Sequence, residues 1–192
     1  MRAAINHRAV WVVGILILLS FTGGVVFAGG KLPELMANQS DSSWVSKNGF
    51  APIETIQQQE TSQAEFLRML MVIYKPKQQG VIVPKGAENH WAAPHYATAK
   101  SEGLIDCSCI IKPDQEISYQ DSTKFVMKAI NKKAGKEVVK LEEVQAWVKR
   151  SGEVTSPMTY AEVVALLRKM DELVKENQKE EGEFGDDEKA RK

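Results

Sequence analysis

The stretch HWAAPHYATAKSEGLIDCSCIIKPDQEISYQDSTKFVMKAI, running from His90 to Ile130, reads as a helix, a turn-rich connector and a second helix. Trp91 to Gly103 predicts a short amphipathic helix, with Asn89 as N-cap, Pro94 near enough to its start to be tolerated, and Gly103 at C′. An apolar Leu104-Ile105 follows, then a connector ending in Lys112-Pro113-Asp114. Ser118 offers the oxygen of a new N-cap. After it, Phe125, Val126, Ala129 and Ile130 fall on one buried helical stripe.

The second half of this unit recurs on both sides. Thr61-Ser62-Gln63-Ala64-Glu65-Phe66 precedes it, and Met158-Thr159-Tyr160-Ala161-Glu162-Val163 follows it. Each copy has a Ser or Thr cap, an acidic residue three positions later and then an apolar run. That is the capping box, with Glu65 and Glu162 as the reaching side chains and the shorter Asp121 in the middle copy. One capping box is common. Three in a short chain, each with a Pro-containing connector somewhere before it, predict an internal repeat.

Taken in order, His90-Trp91-Ala92-Ala93-Pro94, Ala99, Gly103-Leu104-Ile105, Ile111-Lys112-Pro113 and Ile117-Ser118-Tyr119-Gln120-Asp121 resemble the repeat of the S-layer homology domain. That repeat is an aromatic-Ala helix ending in a Gly-Ile turn, an F-x-P connector, and an I-T-R-A-E sequence opening an apolar helix. The resemblance extends from about Trp44 to about Val174, with the middle copy complete and the outer two degenerate. It implies a domain over 49–174 with repeats near 49–76, 86–133 and 138–174. The implied fold is all-α and pseudo-threefold: three capped helices form a central bundle and outer helices pack on it as prongs, the first and third reduced.

The flanks read differently. Residues 1–28 form a signal peptide, with Arg2, His7 and Arg8 as a basic n-region, Val10 to Phe21 as its apolar core, and Val26-Phe27-Ala28 as a cleavage-type ending. Ala9 to Ala28 is also just long enough to span a membrane as an uncleaved anchor, and either way the rest is exported. Residues 29–48 read as a linker that becomes ordered near Trp44, and 175–192 as a disordered charged tail.

The chain has 25 basic and 25 acidic residues, and losing the export segment removes Arg2 and Arg8 but no acid. What remains is close to neutral and has no basic stripe, which argues against nucleic acid as a partner. Cys107-Ser108-Cys109 leaves two readings open, a local bridge or free and intermolecular thiols. A metal would need further ligands, and outside the export segment only His90 and His95 are histidines, so no metal or cofactor is expected. His95 reads as a surface or packed residue. No nucleophile elbow, phosphate loop or zinc-protease motif is present, and the chain is expected not to be an enzyme.

The resemblance implies binding to a pyruvylated secondary cell-wall polysaccharide of Gram-positive-type bacteria, in grooves between adjacent repeats. The Arg of T-R-A-E is the family's main anion-binding residue. Its positions here hold Gln63, Tyr119 and Tyr160, none of them cationic. Together with Trp91 they are the candidate glycan-binding residues, suited to a neutral glycan better than to an anionic polymer. The bland alternatives are surface residues at N1 for Tyr119 and Tyr160, and a core position for Trp91. Two functions follow. One is a wall-polysaccharide-binding module that keeps an exported protein at the wall or cell surface. The other is a degenerate repeat domain that binds envelope proteins, as an interaction or assembly module of the envelope or spore coat.

Overall fold

The computed structural model describes residues 41–150 and 152–189. The expected signal peptide and residues 29–40 of the expected linker lie outside them. Residues 41–47 form α1. Then come α2 (Ile53–Ile56), α3 (Gln63–Tyr74), α4 (Ala93–Ser101), a 3₁₀ turn at Ser108–Ile110, α5 (Tyr119–Ala134), α6 (Leu141–Gln145) and α7 (Tyr160–Lys189). The fold is all-α. Among the described residues β-pairing is confined to isolated bridges, and no helix is long and apolar enough to cross a membrane.

The capped helices α3, α5 and α7 form the centre, each packing on the other two. The three Ser and Thr caps predicted from sequence are made: Ser62 accepts from the Glu65 N–H at 3.2 Å, Ser118 from Asp121 at 3.1 Å and Thr159 from Glu162 at 3.3 Å. Phe66, Leu67, Met69 and Leu70 of α3 are fully buried, because neighbours flank this apolar helix on several sides and leave only a narrow half-buried stripe at Glu65, Arg68 and Val72. Phe66 meets Phe125 of α5 with ring centroids 6.1 Å apart. Truncating a side chain such as Leu67 to Ala would cost about 2–5 kcal/mol.

Just before the caps, the chain does something periodicity cannot reveal. Thr61 N–H donates to Met158 O, Met158 N–H to Ile117 O, and Ile117 N–H to Thr61 O, each at 2.9 Å. The three segments thus close a cycle of backbone hydrogen bonds. A second set repeats the pattern one step out: Gln63 N–H to Gln115 O at 2.8 Å, Tyr119 to Ser156 at 3.0 Å and Tyr160 to Gln59 at 2.8 Å. First-turn N–H groups, which no helix can satisfy internally, therefore find acceptors in the neighbouring segment.

Outer elements follow the same order. α4 packs on α3, α6 on α5 and α2 on α7. α4 ends as predicted: Gly103 has φ +74°, and its N–H and that of Leu104 return to Lys100 O and Ala99 O at 3.0 and 2.9 Å, a Schellman turn. At the end of α3, Lys133 Nζ reaches the Tyr74 and Lys75 carbonyls at 2.9 and 3.3 Å, supplying a cation and donors where the helix lacks them.

Four expectations need correcting. Asn89 is not the N-cap of α4: the helix starts at Ala93 and the His90 imidazole accepts from the Ala92 N–H at 3.1 Å instead. Glu65 does not reach back to its cap, because Arg68 grips its carboxylate at 2.6 and 3.1 Å; in α7 Glu162 does, accepting from Thr159 N–H at 2.9 Å. Residues 41–47 are helix rather than linker, held by Trp44 Nε1 donating to Asp171 at 3.0 Å and by an Asp41–Arg168 ion pair. Finally, α7 does not stop near Val174 but runs to Lys189. Its Glu- and Lys-rich sequence has good helix formers and no Pro, and the Asp171–Lys175 pair at 2.6 Å supports the exit from the core.

Candidate functional site

Because each capped segment leans on the next, a cleft forms beside each cap, with the N1 residue of a neighbouring helix at its back. Beside Ser118 the cleft is lined by Gln63, Lys112, Gln115, Glu116 and Asp121, with Cys109 at its rim. Beside Ser62 the equivalent positions are Gln59, Glu60, Glu65 and Tyr160, with Ile56. Both are polar, and acidic groups outnumber cations in their linings.

The third position, beside Thr159, is occupied from within. The Arg150 guanidinium lies 5.1 Å from the Tyr119 ring centroid, 3.6 Å from Glu162 Oε1 and 3.3 Å from the Pro157 carbonyl, to which it donates. Its side chain is only 12% exposed, and Nε and Nη1 are buried without a hydrogen-bond acceptor. Charge pairing and the ring face, more than hydrogen bonding, compensate this cation.

The three N1 side chains read as glycan ligands share a different duty. Gln63 is 7% exposed; its Nε2 donates to Ile110 O at 2.8 Å, and its Oε1 accepts from Lys112 N–H at 2.8 Å and Tyr96 Oη at 2.9 Å. Tyr160 is 2% exposed and donates to Ala51 O at 2.8 Å. Tyr119, 5% exposed, donates to Gln145 O. All three pin the neighbouring outer segment by a backbone carbonyl, and their burial corrects the alternative that the two tyrosines lie on the surface; Gln63 and Tyr160 still contribute to the linings of the two open clefts. Burial pushes the Tyr160 hydroxyl up to about 12, helped by the nearby Glu65 charge. Burial raises Tyr119 too, against the opposing pull of Arg150.

Trp91 is neither core nor part of either open cleft. It is 57% exposed, its ring 5.2 Å from that of His90 and edge-on to His95 at 6.5 Å. His90 takes the tautomer with a proton on Nε2, since Nδ1 accepts from Ala92, and Nε2 faces Asp114 at 3.2 Å. Burial, then the Arg68 charge, hold His95 below the usual histidine range. Among the described residues no group of three His, Cys, Asp or Glu side chains is placed to hold a metal.

Arg150 escapes a sequence reading, since nothing in Trp147-Val148-Lys149-Arg150 marks which side chain will turn inward. Tyr96, the buried partner of Gln63, carried only the signal of an aromatic in an Ala-rich helix. The chain matches no protein-family model and none of the curated proteins compared with it.

Proposed function

We propose that this protein is an exported, non-catalytic envelope module of S-layer-homology type that binds wall polysaccharide in the clefts beside Ser62 and Ser118. The supporting observation is the closed cycle through Thr61, Ile117 and Met158, which is what a pseudo-threefold triplicated unit requires. The clefts offer amide, hydroxyl and carboxylate groups, which can each exchange hydrogen bonds with sugar hydroxyls. Glu60, Glu65, Glu116 and Asp121 would repel an anionic polymer, so the ligand is a neutral, hydroxyl-rich stretch of glycan.

Purified full-length protein should co-sediment with cell-wall sacculi, and stripping anionic substituents from the wall should leave the bound fraction unchanged. Glu116→Ala combined with Asp121→Ala, both at exposed positions, should lower the bound fraction, leaving only the cleft beside Ser62. Absence of sedimentation at low salt discards the proposal.

The second reading, an assembly module for envelope proteins, is favoured by Val81 and Ile82. These are 90% and 80% exposed on a loop tied to α4 through Gly80 N–H and Thr98 Oγ1 at 3.1 Å. Capture of one stable envelope partner that is lost with Val81→Ser plus Ile82→Ser would favour it.

A further inference from the structure

Cys107 and Cys109 are joined to each other, which settles the two sequence readings in favour of the local bridge in this structure. The bridge ties no two elements of the fold together. It closes a loop over Ser108 alone, and so short a loop constrains an unfolded chain least. The connector is held in place by other means. Gln63 bonds Ile110 O and Lys112 N–H, both at 2.8 Å, while Lys100 Nζ bonds Ile105 O and Asp106 O at 3.1 and 2.9 Å. Lys128 pairs with the Asp106 carboxylate and holds it below the usual range. A disulfide that crosslinks nothing is free to do chemistry.

Both cysteines are exposed, so an incoming thiolate can reach them. They are not equivalent. The Cys109 N–H donates to Cys107 Sγ at 3.1 Å, and this bond would strengthen once that sulfur carried negative charge. Cys107 is therefore the better leaving group and Cys109 the sulfur to be attacked. Cys109 also lines the cleft beside Ser118, next to Ile110, whose exposed side chain offers an apolar contact.

We propose that Cys107–Cys109 is a thiol–disulfide exchange site that oxidises dithiols of other exported proteins. A thiolate of the substrate dithiol attacks Cys109 Sγ, forming a mixed disulfide and breaking the Cys107–Cys109 bond. The electron pair of that bond goes to Cys107, which leaves as thiolate. The second substrate thiol, once deprotonated, attacks the mixed disulfide and expels Cys109 as thiolate. The substrate loses two electrons and two protons in all, the bridge gains two electrons, and the protons pass to solvent or to the new thiolates. One dithiol is consumed per bridge.

The experiment mixes oxidised full-length protein with a reduced Cys-Gly-Gly-Cys peptide at neutral pH and quenches with iodoacetamide. Expected are one peptide disulfide formed per protein, a rate at least tenfold above that of equimolar oxidised glutathione, and mixed disulfide found at least fivefold more on Cys109 than on Cys107. In Cys107→Ser with Cys109 joined to a peptide carrying a single cysteine, the adduct should persist, because no second thiol is at hand to expel Cys109. Cys107→Ser with Cys109→Ser should keep its helical circular dichroism while losing exchange. A rate equal to that of glutathione, equal labelling of the two sulfurs, or unfolding of the double variant would each overturn the proposal.

Discussion

The clefts beside Ser118 and Thr159 share a backbone plan and end in opposite states. At the back of the first, Gln63 folds its amide onto both backbone groups of one connector and leaves the mouth open. At the back of the second, Tyr119 reaches Gln145 and presents its ring as a platform, and Arg150 lies on it. The N1 side chain alone does not decide between the two states, since the cleft beside Ser62 stays open with Tyr160 at its back; the space beside Thr159 is filled because Arg150 turns into it. The N1 side chain at each position has a fixed structural duty, because that duty is set by the backbone carbonyl opposite.

The comparison can be broken most forcefully at Gln63. Gln63→Leu removes partners from Ile110 O, Lys112 N–H and Tyr96 Oη at once, and should lower stability by about 2–4 kcal/mol in urea unfolding. If the loss is under about 0.5 kcal/mol, the amide is not what holds that connector.

Glu162→Gln should follow at about 2 kcal/mol, since it uncovers the Arg150 guanidinium and weakens the Thr159 capping box together. Arg150→Ala should cost less, about 1 kcal/mol, because the Glu162 it leaves is partly solvated. Its sharper readout is stoichiometry. Calorimetric titration with a neutral wall oligosaccharide should rise from two sites to three, and an unchanged count would mean the third cleft is not a site in waiting.

The smallest effect is spectroscopic. Tyr119 and Tyr160 both ionise above the ordinary tyrosine value, so they stabilise the fold fully below pH 10 and lose that contribution as pH rises through their folded values, about 12 for Tyr160. Following tyrosinate absorbance, Arg150→Ala should delay Tyr119 ionisation and leave Tyr160 where it was. Movement of both would show the two clefts to be coupled.

The parts legible in the sequence were those written in local chemistry. Ser62, Ser118 and Thr159 announce helix starts because a side-chain oxygen followed by an acid three residues later has a local partner. The stripe of Phe125, Val126, Ala129 and Ile130 gave the buried face for the same kind of reason. Illegible were the choices made between distant segments. Glu65 had two possible partners, its cap and Arg68, and only the folded geometry selects Arg68. In the sequence Trp44 only marks where the linker becomes ordered; the acceptor of its indole, Asp171, lies far along the chain. The roles of Gln63 and Tyr160 depend on where the Ile110 and Ala51 carbonyls come to rest, and no spacing encodes that.

A ring of three donors and three acceptors has no first or last member. Stacked repeats need special units to seal their two ends, but here every unit seals another, so none can be deleted without baring the flanks of both survivors. The few residues ahead of Ser62, Ser118 and Thr159 must therefore keep their pitch, since a shift of one residue in any of them breaks the ring at two of its three bonds.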